Sequence, residues 1–234
     1  MHRKEINERS PIRVLEASIH GGLGRGNIGV VMAGRGVGKT AFLVGIAMDD
    51  LLQGRKVLHI SLDHAINKVR SYYDKIFMDL THAREMEGVW KVQLDMERNR
   101  HIHCYLADTF TVDKLRDAVA FLRDHVDFQP AAVVIDDFDF AAATSADLGV
   151  LREIARKLDA EVWMSAVIHR ESDLHQHDVP EPVAHLQEEI DVILEMAHDT
   201  KAVHVSLLKD HNNPNVSDLK LALDPTTMLL TKEG

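Results

Sequence analysis

The sequence predicts an α/β fold: a mostly parallel sheet flanked by helices, with antiparallel strands added at its C-terminal edge. Three observations predict it. Apolar, β-rich runs alternate with helix-period segments up to about residue 168. Beyond residue 190, strand-like runs follow one another with little helix between them. The first strand, in NIGVVM, stops at a glycine-rich turn, AGRGVGKT (33–40), that opens a helix.

Residues 1–18 read as a partly extended lead-in and 19–234 as a single domain. GGLGRG (21–26) is a flexible turn before a strand over 28–32. From Thr40 to Leu52 the apolar residues Phe42, Leu43, Ile46, Ala47 and Leu51 recur at helical spacing, and Gly54 is a helix stop. KVLHIS (56–61) is a buried strand; 65–80 and 82–98 are helical, and 101–107 is strand-like. The segment 112–125 is an amphipathic helix with Leu115, Ala118, Val119 and Leu122 on one face. A fully apolar strand over 131–135 ends in Asp136, and a helix over 146–158 leads to a strand over 161–168. The polar stretch 170–188, with two prolines, reads as a loop. Strands near 191–196, 202–208 and 219–223 complete the chain.

The 234 residues are enough for a sizeable core, and 45% hydrophobic with 27% charged residues fits a globular protein. No apolar run is long enough to cross a bilayer, so no membrane role is expected. The start, MHRKEINERSPIR, is charged and lacks the apolar centre of a secretory signal. The one cysteine, Cys104, excludes an internal disulfide, and a cytoplasmic home is expected. A net charge of −10 argues against a general nucleic-acid surface. The 15 histidines read as scattered surface residues.

Strand, then A-x-x-x-x-G-K-T, then helix is the context of a phosphate-binding loop. Main-chain N–H groups from Ala33, Gly34, Arg35, Gly36, Val37, Gly38, Lys39, Thr40 and Ala41 would surround the anion, helped by the helix N-terminus. The three glycines permit the curvature; Ala33, where glycine is commoner, requires a negative φ. Lys39 would reach the β- and γ-phosphates, and the Thr40 hydroxyl would bind Mg²⁺. A second anchor for the metal is Asp136, delivered at the C-terminal end of AAVVID, where ligands of open α/β sheets sit. Strand alternation turns Asp137 the other way. GLGRGNIG precedes the strand instead of following it, so it is not a dinucleotide fingerprint.

On these residues the chain resembles the RecA-like P-loop ATPases, in particular the KaiC and replicative-helicase (DnaB-type) branches. GGLGRG with AGRGVGKTAF, HISLD followed by His64, Ala65 and Ile66, VVIDDFD, and LLKDHNNP with DLKLALDP match their motifs in order, over roughly residues 20–231. The resemblance implies ATP and Mg²⁺ as ligands and a homo-oligomer, often a hexameric ring, with nucleotide between subunits. It places Asp63 where the family has the glutamate that orients the attacking water, and Arg70 where a side chain stacks on adenine. It places Lys209, Asp210 and His211 where a Lys-x-Arg finger reaches the nucleotide of a neighbouring subunit.

Three accessories depart from the family pattern. Asp63 is shorter than glutamate by one C–C bond, roughly 1.5 Å, and a misplacement of about 1 Å costs on the order of 100-fold in rate. Asp63 also suits the cap of the helix after it. Histidine replaces the finger's arginine at 211, leaving Arg170 as a substitute. Val167 stands where the helicase branch has a phosphate-sensing glutamine, with His169 nearby.

The loops that would face DNA, 139–146 and 170–188, hold one arginine between them, so a DNA-translocating motor is disfavoured though not excluded. His101 and His103 share a strand face, and His175 and His177 could join them around a metal, but packed or surface histidines account for all four. The expected function is ATP binding with slow hydrolysis, catalysed by Lys39, Asp63 and a neighbour's Lys209, or an ATP-driven conformational or assembly switch. The alternatives are a DNA-dependent motor and a non-hydrolysing regulatory subunit with a protein partner. No base-reading N-K-x-D tetrapeptide is present, which favours ATP over GTP weakly.

Overall fold

The structure is a computed structural model that describes residues 12–19, 21–84, 88–168, 179–199, 202–216 and 219–232. Nine strands form one sheet in the order β3-β2-β4-β5-β1-β6-β7-β8-β9. The strands are β1 (Ile28–Ala33), β2 (Val57–Ser61), β3 (Arg100–Cys104), β4 (Ala132–Asp136), β5 (Glu161–Val167), β6 (Val192–His198), β7 (Val203–Asp210), β8 (Leu221–Leu223) and β9 (Leu230–Lys232). The first six run parallel and the last three antiparallel, as the change of pattern after residue 190 predicts. This is a RecA-like P-loop fold.

The helices are α1 (Ile12–Ser18), α2 (Lys39–Leu52), α3 (Ile66–Arg84), α4 (Val89–Asn99), α5 (Val112–Val126) and α6 (Ser145–Leu158). Buried side chains of α1 to α4 pack on one sheet face and those of α5 and α6 on the other, giving two cores. The central strands are buried along their whole length, which is why they read as continuous apolar runs. Local chemistry fixes the ends of α6: Thr144 and Asp147 form a capping box, and Asp159 closes the helix in the left-handed conformation. Gly29 has a packing reason: a Cβ there would lie 2.5 Å from the Trp163 ring on the next strand.

Two elements differ from the sequence expectation. The last seven residues of the lead-in are the helix α1, because Ile12 and Leu15, with Ile19 just beyond, fall on one face and bury there. The neighbouring charges, which make the segment look solvated, serve to dock it: Arg13 pairs with Glu16 and with Asp49 of α2. The short edge strand β9 is the second difference; three residues are too few for a periodic signal.

The α1 dock brings carboxylates together. Burial, with Glu161 and Asp49 nearby, outweighs the Arg55 partner and pushes Asp50 from 3.8 up to about 6. A folded-state pKa above the unfolded one means that folded Asp50 holds more protons between those values. Its contribution is therefore complete below pH 4 and lost as pH rises through 6, a change of roughly 3 kcal/mol. Urea unfolding at stepped pH should show this fall in the wild type, and Asp50→Asn should remove it.

Candidate nucleotide-binding site

A cleft of about 450 Å³ opens at the C-terminal ends of the parallel strands. Its floor is the turn 33–40. Gly36 and Gly38 take left-handed φ values of 78° and 116°, which side chains rarely adopt. Ala33 closes β1 without a positive φ, as its methyl group requires. Gly38 starts α2 with no side-chain cap, so the first amides of that helix are left for a ligand.

Lys39 is 7% exposed, yet among the described residues its amine forms no ion pair. It rests on the carbonyl oxygens of Ala33 at 3.5 Å and Gly34 at 3.3 Å. Burial lowers its pKa, although Asp137 and Asp136 pull the other way. A buried ammonium held by two long contacts to carbonyls is incompletely compensated. An anion in the turn would complete it.

Sheet register builds the metal side. Ser61 and Asp136 stand side by side at the tips of β2 and β4, and Ser165 lies next to Asp136 two residues before the end of β5. Asp136 is 3% exposed. Its Oδ2 accepts from the Thr40 hydroxyl at 2.6 Å and its Oδ1 from the Ser165 hydroxyl at 2.6 Å. Thr40 and Asp136, predicted as metal anchors from separate parts of the sequence, are thus in direct contact. A hard divalent cation suits an all-oxygen pair of hydroxyl and carboxylate, with phosphate oxygens and water completing its shell. The residues fit Mg²⁺ at this point.

Several sequence expectations need correction. Asp137 does not turn away: its φ of 65° breaks the strand alternation, and the residue lines the cleft. Ser165 fixes that turn by accepting from the Asp137 N–H at 2.8 Å. Burial, then the charge of Asp136, raises the pKa of Asp137. Arg70 is not part of the cleft lining; it lies on the outer side of α3, half exposed, 3.7 Å from Glu97. Two residues on, a rotation of about 200° brings Tyr72 to the cleft instead, stacked on His64 with ring centroids 6.2 Å apart.

Asp63 lines the rim with its side chain 62% exposed and its carboxylate 3.3 Å from the His64 imidazole. Val167 also faces the cleft. Lys209 belongs to the opposite end of the sheet, because β7 runs antiparallel and pairs Lys209 with Ile193 at the start of β6. Six residues of strand separate that end from the cleft, about 20 Å. There Lys209 donates to the Gln187 carbonyl at 2.6 Å.

His211 is held within its own chain, between Asp210 at 2.9 Å and the Leu23 carbonyl at 3.0 Å. Burial opposes its charge, but those two bonds and the charges of Asp210 and Asp191 raise its pKa. His169, Arg170, His175 and His177 lie outside the described residues. His101 packs edge-on against Phe128 at 4.2 Å, and no metal-binding cluster of three His, Cys, Asp or Glu occurs among the described residues.

A family model described as "ATPase: KaiC" matches residues 9–169, more than half of the chain. The chain belongs to the KaiC ATPase family. Members of this family generally bind ATP with Mg²⁺, which agrees with the buried Lys39 and the Thr40–Asp136 pair. No curated protein gives a significant match. No helix among the described residues is long and apolar enough to cross a membrane.

Within this KaiC-family site, Ser165, Tyr72 and His198 went unnoticed in the sequence. Ser165 had a signal: it is the one polar residue inside the apolar run VWMSAV, directly opposite the Asp-bearing strand tip. Ser165→Ala would leave Asp136 with one hydroxyl donor and the Asp137 N–H unpaired. The expected cost is about 1–3 kcal/mol of stability, measurable as a lower urea midpoint with an unchanged slope.

Proposed function

We propose that the chain binds Mg·ATP in this cleft and either hydrolyses it slowly or uses it as a conformational or assembly switch. The observation that carries this reading is the buried Lys39 amine, which among the described residues has two long carbonyl contacts and no ion pair, at the centre of an amide-lined turn. Lys39 and the loop amides would hold the β- and γ-phosphates, and Thr40 and Asp136 would hold the metal. When bound, Mg²⁺ supplies positive charge against the phosphate oxygens.

The accessories support slow turnover. Val167 has no hydrogen bond to offer. His211 is occupied at both ring nitrogens within its own chain. Lys209 is out of reach of its own cleft, so it would serve only in a neighbouring copy. That arrangement favours a homo-oligomer with nucleotide at the subunit boundary. The loop residues 139–146 contain no lysine or arginine, so single-stranded DNA has no cationic track there.

The test measures ATP affinity, phosphate release with and without single-stranded DNA, and mass in solution with ATP or ADP. ATP binding, slow release insensitive to DNA and a nucleotide-dependent mass are expected. Strong, salt-sensitive stimulation by DNA would establish the helicase-type motor instead; binding without release would establish the regulatory subunit. Lys39→Ala removes a charge-assisted contact of about 1.5–3 kcal/mol and should weaken ATP about 10- to 100-fold. Unchanged affinity in that variant would remove Lys39 from the site.

A further inference from the structure

Two carboxylates besides Asp136 face the cleft, Asp63 and Asp137. Their settings differ. Asp63 stands on the bend after β2, largely exposed and leaning on the His64 ring. That bend is held by the Ser61 hydroxyl accepting from the His64 N–H at 3.0 Å, so Asp63 has the position and partners of a residue that shapes a turn.

Asp137 is held from both sides. Its N–H is bound by the Ser165 hydroxyl, and the next amide, Phe138, donates to the Ser165 carbonyl at 3.1 Å. Phe138 and Phe140 then bury and pack edge-to-face, ring centroids 5.0 Å apart. This anchoring keeps a non-glycine residue at a φ of 65°. Aspartate tolerates the left-handed region better than most residues, so the conformation alone could be turn chemistry. What the turn achieves is specific: it brings a half-buried carboxylate into the cleft that Lys39 also lines. Among the described residues that carboxylate has no hydrogen-bond donor. An acceptor for the attacking water must be rigid, beside the γ-phosphate, and have free lone pairs.

We propose that Asp137, rather than Asp63, accepts the hydrogen bond from the water that attacks ATP, and that Ser165 is its positioning residue. This rests on the Mg·ATP reading of the cleft. The water oxygen bonds to the γ-phosphorus as the bond to the β,γ-bridging oxygen breaks. ADP leaves with that electron pair, and the water proton leaves on the phosphate product. Asp137 orients the water and keeps no proton.

The experiment compares the wild-type chain with Asp137→Asn and Asp63→Asn. Asparagine is compatible with the left-handed backbone; Asp137→Gly, which relieves the φ and also removes the carboxylate, guards against a folding effect. ATP affinity, single-turnover phosphate release and the affinity of ADP with aluminium fluoride, a mimic of the attacked state, are measured for each. Both Asp137 variants should keep ATP affinity within about threefold, lose about 100-fold or more in phosphate release and bind the mimic at least about tenfold more weakly. Asp63→Asn should lose at least about tenfold less in release than Asp137→Asn. Release from the Asp137 variants within about threefold of wild type, a larger loss at Asp63, or a wild type that binds ATP and releases no phosphate overturns the proposal. Failure of the wild type to bind ATP would instead overturn the Mg·ATP reading on which it rests.

Discussion

The site depends on one buried carboxylate. Asp136 is withdrawn from water at the tip of β4, and an ionised group there must be paid for by donors. It has two, the hydroxyls of Thr40 and Ser165, each at 2.6 Å. These bonds tie the phosphate loop's helix to β4 and β4 to β5. The pairing exists only because the sheet register sets Ser61, Asp136 and Ser165 in one row. A slip of one residue would turn Asp136 to the opposite face and an isoleucine toward Thr40. Register is therefore what converts two distant sequence motifs into one hydrogen-bonded pair.

The parts of this arrangement that the sequence made legible are those whose physics is local. The turn 33–40 is readable because glycines, lysine and threonine at fixed spacing have few other uses. Asp136 is readable because an apolar strand ends on it. Asp137 was misread because alternation holds only while the strand continues, and β4 stops one residue earlier. Arg70 was placed by its distance from Asp63 along the chain, whereas on a helix the face matters. Residue 72 lies on the side that meets the cleft, and residue 70 on the side that meets α4. α1 was hidden because its ion pairs with α2 look like solvent-facing charge until their partners are known.

The finger region shows a different limit. The resemblance assigns Lys209 and His211 to the nucleotide of a neighbouring subunit, and the antiparallel run of β7 carries them to the end of the sheet away from their own cleft. His211 there serves its own chain. It takes the left-handed φ of 51°, its N–H donates to the Asp191 carbonyl at 2.5 Å, and its ring ties the Leu23 turn to Asp210. An arginine at this position would not fit between a carboxylate and a carbonyl in the same way, because its charge sits at the end of a longer stem. The histidine at 211 thus has a local structural use that motif comparison does not reveal.

The far wall of the cleft comes from a different stretch of chain than the floor. The family-matched segment, 9–169, supplies the amides, Lys39, Thr40, Asp136, Asp137 and Ser165. The opposing side is His198 at the end of β6, with Val203, Leu223 and the turn holding Pro225 and Met228 brought there by the antiparallel strands. The two sides meet at Gly38, where a Cβ would lie 2.7 Å from Leu223 and 3.8 Å from Met196. Gly38 is thus required twice, once by its φ of 116° and once by β8 packing against it. A side chain at this point would have to displace Leu223 of β8.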